Sequence, residues 1–416
     1  MPSIETVAVI GLGYIGLPTA AILATNGYDV VGVDVNQGTV DAVNRGEVPF
    51  VEPDLSIHVA GAVSQGHLKA TVDTPPAQAY IVAVPTPFQA DRSADLSYIE
   101  AAARGIAPQL QGGELIILES TSPPGATRHL ADYLLALRPE FSLDGANDTS
   151  VIHFAHCPER VLPGRVMIEL VTNDRIVGGI TPEAASLAKE LYAVFCKGEI
   201  LITDDVTAEM AKLVENSYRD VNIAFANELS VISDKLGVDV WELIRLANHH
   251  PRVNILNPGP GVGGHCIAVD PWFIVSAAPS EAQLIKTARE VNDSKPLWVV
   301  DKVVGSVADL PLDHEVAVFG LAFKANIDDL RESPAVEIAH ALSRRLENRR
   351  INIVEPHVDA LPKALADQPN VELVDADEAL TRSAVVALLV DHEPFKQLAH
   401  QMSGKRVIDT RGLFTD

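Results

Sequence analysis

The sequence predicts an α/β protein: two Rossmann-like, doubly wound domains joined by a central helical domain with one long helix. Three observations predict it. Residues 1–203 alternate short β-branched runs (TVAVIG, YDVVGVDVN, AYIVAVPTP, ELIILEST, VIHFAHCPE) with amphipathic segments, the mark of βαβ units around a parallel sheet. Residues 204–304 hold no convincing strand. They are dominated by VTAEMAKLVENSYRDVNIAFANELSVISDKLG, whose apolar residues recur at three- and four-residue steps up to a terminal glycine. Residues 305–416 resume the alternation with HEVAVFG, the helical SPAVEIAHALSRRLENRR, and then INIVEPH, VELVDA, SAVVALLV and KRVIDTRG.

Composition narrows the function. With 416 residues the chain has room for two or three domains, and 47% hydrophobic against 21% charged residues is a globular profile. A formal net charge of −24 argues against nucleic acid or an anionic membrane as partner, while leaving room for a small anion held by individual Arg and Lys residues. No run is long enough to span a bilayer, and MPSIETVAVIG enters a strand with no leader-like stretch before it. Cys157, Cys196 and Cys266 are odd in number and widely spaced, so neither a disulfide scaffold nor a metal site is expected, and a reducing cytoplasm is.

The first motif is GLGYIG, residues 11–16, between the strand TVAVI and the helical YIGLPTAAILATNG. Gly11 permits the tight turn, Gly13 lets the backbone approach a pyrophosphate, and Gly16 lets helix and strand pack closely. Tyr14 and Ile15 complete the loop that delivers phosphates to a helix N-terminus. The next strand ends at Asp34, in the position that hydrogen-bonds an adenosine ribose and repels a 2′-phosphate, so NAD is the expected cofactor. Thr86 in VPTP and Thr121 in ESTSPPG sit at further strand ends, where ligands are lined, although each is also an ordinary turn or cap residue.

The second motif is GPGVGGHCIAVDP, residues 259–271. A lone cysteine is usually a buried structural thiol. Here Gly259, Gly261, Gly263 and Gly264 would let the backbone come close to something bulky, and His265 and Asp270 are polar neighbours. A thiol beside a nicotinamide has an evident use, since it can attack an aldehyde to give a thiohemiacetal, which surrenders a hydride and becomes a thioester. Cys196 ends an apolar helix and reads as structural, and Cys157 lacks a glycine setting. On the long helix, Lys212 and Asn216 lie at i and i+4, hence on one face, where they could share an oxyanion, with Arg219 on nearly the same stripe.

Together GLGYIGLPTA, STSPPGAT, CPERVLPG, AKLVENSYRDVNIAFANEL, GPGVGGHCIAVDPWF and FGLAFKANIDDLRESPA resemble the nucleotide-sugar 6-dehydrogenase family, which includes UDP-glucose and GDP-mannose dehydrogenases. The resemblance covers essentially the whole chain. HHPRVNILNPGPGVGGHCIAVDPWFIV and CPERVLPGRVMIELVTNDR are most similar to its UDP-N-acetyl-D-mannosamine branch, whereas UDP-glucose members usually carry Ser at His265. The resemblance implies oxidation of a sugar C6 hydroxyl to a carboxylate in two NAD-dependent steps, with Cys266 as nucleophile. It makes Lys212 the acid/base or oxyanion group, Asn216 its partner, Asp270 the group orienting water or base, and Glu159 a base able to exchange roles with Lys212.

The same resemblance assigns the third domain to the UDP moiety. Phe323 and Lys324 would lie near sugar or phosphates, Arg411 near the nucleotide, and Arg331 would reach back to NAD. Arg160, Val161, Arg219, His250, Arg252 and Gly263 match substrate-contacting positions, with Arg252 entering the neighbouring subunit's site. A homodimer on the long helix is therefore expected, with Val221, Ile223 and Phe225 available to bury. FGLAFK lacks the G-x-G-x-x-G spacing, so a second dinucleotide is not expected. Three other readings stay open: the same chemistry on UDP-N-acetylglucosamine or UDP-N-acetylgalactosamine, a non-catalytic nucleotide-sugar sensor, and a two-electron dehydrogenase. The last two leave the thiol unexplained.

Overall fold

The computed structural model describes residues 4–414, apart from Ala90, Pro163 and His265. The His265 position noted above therefore lies outside the described residues. By compactness the chain divides into residues 1–215 and residues 216–416.

In the first unit, β1 (Thr6–Ile10), β2 (Asp29–Val33), β3 (Leu68–Thr71), β4 (Ala79–Val82) and β5 (Leu115–Leu118) build the N-terminal half of the sheet. A short side pair, β6 (Phe141–Ser142) and β7 (Ser150–Val151), precedes β8 (His153–His156), β9 (Arg175–Gly179) and β10 (Ile200–Asp204). The eight-stranded order is β10-β9-β8-β5-β4-β1-β2-β3. Strand order reverses at β1, so a crevice opens beyond the carboxyl ends of β1 and β4. Alternate residues of β1 serve opposite faces: Val7 and Val9 pack into one core, Ala8 and Ile10 into the other. One expectation fails. The sheet is not wholly parallel, because β9 runs antiparallel to β8, with Ala155 opposite Gly179. The linking segment carries only a seven-residue helix, Val166–Thr172, and brings the chain back reversed.

The long helix spans Asp205–Leu236 and ends before Gly237, whose φ of +67° suits only glycine cheaply. No strand occurs among the described residues from there to 314. None of the described helices is long and apolar enough to cross a membrane. The second sheet consists of β11 (Glu315–Phe319), β12 (Ile351–Val354), β13 (Val371–Leu373), β14 (Ser383–Leu388) and β15 (Arg406–Asp409). Its order is β13-β12-β11-β14-β15, and every pairing is parallel.

The two sheets share a turn. Gly11 and Gly320 leave β1 and β11 at φ +96° and +90°, and each donates its N–H to the last residue of the adjacent strand, Val33 or Val354. The next N–H, of Leu12 or Leu321, goes to the acid after that strand: Asp34 at 2.9 Å or Glu355 at 2.7 Å. The environments then diverge. Glu355 is buried, also takes the Ala322 N–H, and faces His392 Nε2 at 3.0 Å, while His392 Nδ1 accepts the Asn326 N–H. Glu355, His357 and His392 bring ligand atoms within 4.8 Å of one another, but two of the three are spent on these bonds.

Candidate active site

Gly11, Asp34, Thr86 and Thr121 come to neighbouring strand ends around the crevice of the first unit. A Cβ on Gly11 would lie 2.6 Å from the Ala83 carbonyl oxygen, and one on Gly16 would lie 1.9 Å from that of Gly11. Both positions are closed to side chains by backbone. Gly13 is the opposite case: it is exposed, and nothing lies within 4 Å of an added Cβ. That open backbone, at the start of the helix Gly16–Thr25, suits a pyrophosphate. Asp34 accepts the Leu12 N–H through Oδ2 and the Asn36 N–H at 2.8 Å through Oδ1. Its half-exposed carboxylate keeps lone pairs for ribose hydroxyls. Thr86 donates its hydroxyl to the Thr121 carbonyl at 2.5 Å, which ties the two predicted threonines together. The residues present fit NAD.

Tyr14 is held by the protein. Its hydroxyl donates to the buried Glu52, and burial, then Glu52, push the phenol up to about 12. Ile15 is half-buried at the start of the helix.

Glu159 follows β8 and is 9% exposed. Its Oε1 accepts the Arg160 N–H at 2.7 Å and its Oε2 meets Arg175 Nη2 at 2.9 Å. Arg175 is buried over the Tyr192 and Phe195 rings, 3.6 Å from Cys157 Sγ and 3.9 Å from Glu119. Glu119 accepts hydroxyls of Thr19 and Tyr192, both at 3.1 Å. Burial, then the charge of Glu159, push its carboxyl up to about 7. Burial likewise pushes the Cys157 thiol up to about 12, so it is no nucleophile. Sequence reasoning missed Glu119 and Arg175. The available signal was a glutamate directly after the apolar strand LIIL. Arg160 pairs with Glu215 and reaches the Asp174 carbonyl at 3.2 Å, and Val161 packs at the edge of the core. Lys212 is half-buried and makes no hydrogen bond or ion pair among the described residues.

In the second unit Asn216 donates its amide to Asp270 Oδ2 at 2.5 Å. Asp270 is buried at the start of the helix Asp270–Ala277, and its N–H bonds the Cys266 carbonyl at 2.9 Å. Asn216 on the long helix and Cys266 with Asp270 in the glycine-rich segment thus form one connected group, with Cys266 exposed. The glycine run before it is shaped by protein. A Cβ on Gly263 would lie 2.4 Å from the Glu332 carbonyl oxygen, and one on Gly261 would lie 2.8 Å from Pro334. Gly264, at φ +85°, donates its N–H to Glu332 at 3.3 Å, with the Phe323 ring 3.7 Å from where its Cβ would be. Arg411, held by Asp391 at 2.7 Å, points a guanidinium nitrogen to 3.0 Å from a Gly259 Cβ. Phe323, Gly263 and Arg411 therefore gather at this loop.

Behind it stands a buried relay that the sequence did not suggest. Asn227 accepts the Gly259 N–H at 2.8 Å and donates to Asn292, which donates to Asp220, itself paired with the buried Arg289. Arg331 forks onto Asp329 at 2.9 and 2.6 Å, and Lys324, Arg219, His250 and Arg252 are exposed.

Fold and site define an α/β oxidoreductase that takes NAD, with a second parallel sheet contributing to the thiol loop. Residues 5–196, 206–294 and 317–416 match, in turn, the NAD binding, central and UDP binding domains of the UDP-glucose/GDP-mannose dehydrogenase family. The chain belongs to that family. It is 56% identical over 413 residues to an NDP-N-acetyl-D-galactosaminuronic acid dehydrogenase of Ralstonia nicotianae, covering 99% of this chain and 96% of the relative. It is 52% identical over 421 residues to the UDP-N-acetyl-D-mannosamine dehydrogenase of Escherichia coli (strain K12), covering 99% and 100%. Among solved structures, a UDP-N-acetyl-mannosamine dehydrogenase from S. aureus superposes with a TM-score of 0.84 at 40% identity, covering 99% of this chain and 96% of that one.

Proposed function

We propose that the chain oxidises the C6 hydroxyl of UDP-N-acetyl-D-mannosamine to the carboxylate, in two NAD-dependent steps through a covalent intermediate on Cys266. NAD, when bound, accepts one hydride in each step. In the first step the C6 hydroxyl gives up its proton to Lys212 or Glu159 while the C6–H bond loses a hydride, leaving an aldehyde. The Cys266 thiol then adds to the aldehyde, its sulfur bonding the carbonyl carbon and its proton passing to the oxygen, with Lys212 and Asn216 assigned to stabilise the oxyanion that develops. The thiohemiacetal loses its proton and a second hydride to become a thioester, and water, oriented by Asp270, replaces sulfur to give the acid and the thiol. The single observation that carries the reading is the bonded group Asn216–Asp270–Cys266, in which an amide from the long helix meets the Asp270 carboxylate at the head of the helix that follows the exposed Cys266.

The UDP moiety belongs with Phe323, Lys324 and Arg411, and the sugar with Arg160, Val161, Arg219, His250, Arg252 and Gly263. Arg331 has to leave Asp329 to serve NAD. The working form is a homodimer on the long helix, with Arg252 entering the partner's site. Tyr218, Phe225 and Ile232 support it: they are 74%, 51% and 46% exposed and seven residues apart, so they line one stripe. Val221 and Ile223 are half-buried.

The test is the NADH yield from limiting UDP-N-acetylmannosamine, run beside the gluco and galacto epimers. Two NADH per mannosamine nucleotide support the reading, and one or none from all three removes it. A second reading, the galacto epimer, is favoured by two Ralstonia relatives at 56% and 55% identity that carry the galactosaminuronic name. Two NADH from that epimer alone would establish it.

A further inference from the structure

The loop after β8 is held by a side chain that the proposed chemistry does not use. Glu52 lies in the segment before the helix Leu55–Ser64 and is 7% exposed. One oxygen takes the Tyr14 hydroxyl and the Gly164 N–H, the latter at 2.9 Å, and the other takes the Val166 N–H at 2.8 Å. The Gly164 N–H also lies 3.3 Å from the Tyr14 hydroxyl oxygen. Tyr14 belongs to the glycine turn of the cofactor site, and its ring packs on Phe50 with centroids 5.2 Å apart. Gly164 and Val166 close the segment that starts at Cys157 and carries Glu159, Arg160 and Val161. A single buried carboxylate therefore receives donors from the cofactor turn and from the end of the loop assigned to substrate. Bonds to an ionised acceptor in a dry setting are stronger than neutral ones and hold direction well.

We propose that Glu52 is a positioning residue that couples the two loops, so that a dinucleotide seated on residues 11–16 also fixes the loop 159–166 in the geometry that receives the nucleotide sugar. The glycine turn and the substrate loop are far apart in sequence and share this acceptor. When the turn is steadied by a ligand, Tyr14 is steadied, and through Glu52 so are the Gly164 and Val166 amides. The assignment of 159–161 to substrate rests on the function proposed above; the coupling of the loops does not.

The experiment therefore has two readouts. The first is deuterium exchange of residues 164–172 in the full chain, with and without NADH and with no sugar present. Added NADH slows exchange there severalfold in the wild type and leaves it unchanged in Glu52→Gln. Equal slowing in the variant, or none in the wild type, overturns the coupling whatever the substrate is. The second is steady-state kinetics on the nucleotide sugar that the wild type turns over. Glu52→Gln raises its KM roughly tenfold with kcat and the NADH Kd within about threefold, the size expected for losing a charged acceptor. Tyr14→Phe, which keeps the ring and removes only the donor, raises KM in the same direction, and the double variant is no worse than Glu52→Gln alone. A loss confined to melting temperature and kcat, with KM unmoved, overturns the positioning role and leaves Glu52 a structural clasp.

Discussion

Gly263→Ala tests whether the glycine run aims Cys266. The added Cβ would sit 2.4 Å from the Glu332 carbonyl oxygen and 2.6 Å from Pro334 Cδ, where ordinary contact begins at 3.4 Å. The shortfall is about 1 Å, and neither obstacle is a flexible side-chain end. The loop therefore has to move by that distance, three residues before the thiol. Overpacking of this kind costs about 1–3 kcal/mol of stability, and a misplacement of about 1 Å at a reacting group costs roughly 100-fold in rate. The assay is the initial rate of NADH formation at saturating NAD and nucleotide sugar, beside a denaturant midpoint and an NAD titration. The expected result is turnover down about 100-fold, a modestly lower midpoint and unchanged NAD affinity. Wild-type turnover in Gly263→Ala would refute the idea that close packing on Glu332 sets the position of Cys266. Gly13→Ala is the contrast: its Cβ meets no protein atom within 4 Å, so the midpoint holds while NAD binding weakens roughly tenfold or more.

Cys266→Ser should lose acid production by several orders of magnitude while still binding NAD, measured as uronate formed and as NAD titrated; wild-type acid yield would remove the thioester. Asp34→Ala should weaken NAD and narrow the preference over NADP, because its carboxylate orders the Leu12 and Asn36 amides and is assigned to the ribose; an unchanged ratio of kcat/KM values would refute that assignment. Tyr218→Glu with Phe225→Glu should convert the proposed dimer to monomer in sedimentation velocity, and a dimer mass unchanged by both would move the interface elsewhere. For pH, burial first and Glu159 second raise the Glu119 carboxyl from the ordinary 4.5 to about 7. The folded state thus binds this proton more tightly, so its stabilising contribution is complete below about 4.5 and is lost as pH rises through about 7. Glu119→Gln should remove that slope, worth on the order of 1–3 kcal/mol between about pH 5 and pH 8 in denaturant midpoints, and a wild-type slope in the variant would refute it.

What was legible in the sequence was what local chemistry dictates. GLGYIG could be placed because a strand runs into it and a helix out of it, and the acid that ends the second strand made the turn specific. The long helix was legible from its apolar spacing and Gly237. The direction of β9 was not, because RIVGG has the same composition in either orientation and only the returning segment decides it. Nor was the purpose of Gly261 and Gly263: the atoms they make room for belong to Glu332 and Pro334, about seventy residues on, which no window of the sequence brings near. Buried charge was the other blind spot. Glu119, Arg175, Asp220 and Arg289 look like surface residues when only their type is known, and the folded chain alone reveals which of them face one another. Asn216 and Asp270 could be nominated, but their bond required the structure.

The shared glycine turn has a consequence for redesign. In the first sheet the acid at the turn is half-exposed and open to a ribose, whereas in the second the equivalent Glu355 is locked from inside by His392 and three backbone amides. One piece of backbone is thus a socket in one half and a plugged socket in the other. Cofactor preference can be rewritten at Asp34 without recruiting a stray dinucleotide to the C-terminal sheet. Opening the second socket would require more than restoring glycines: the internal plug would have to be withdrawn first.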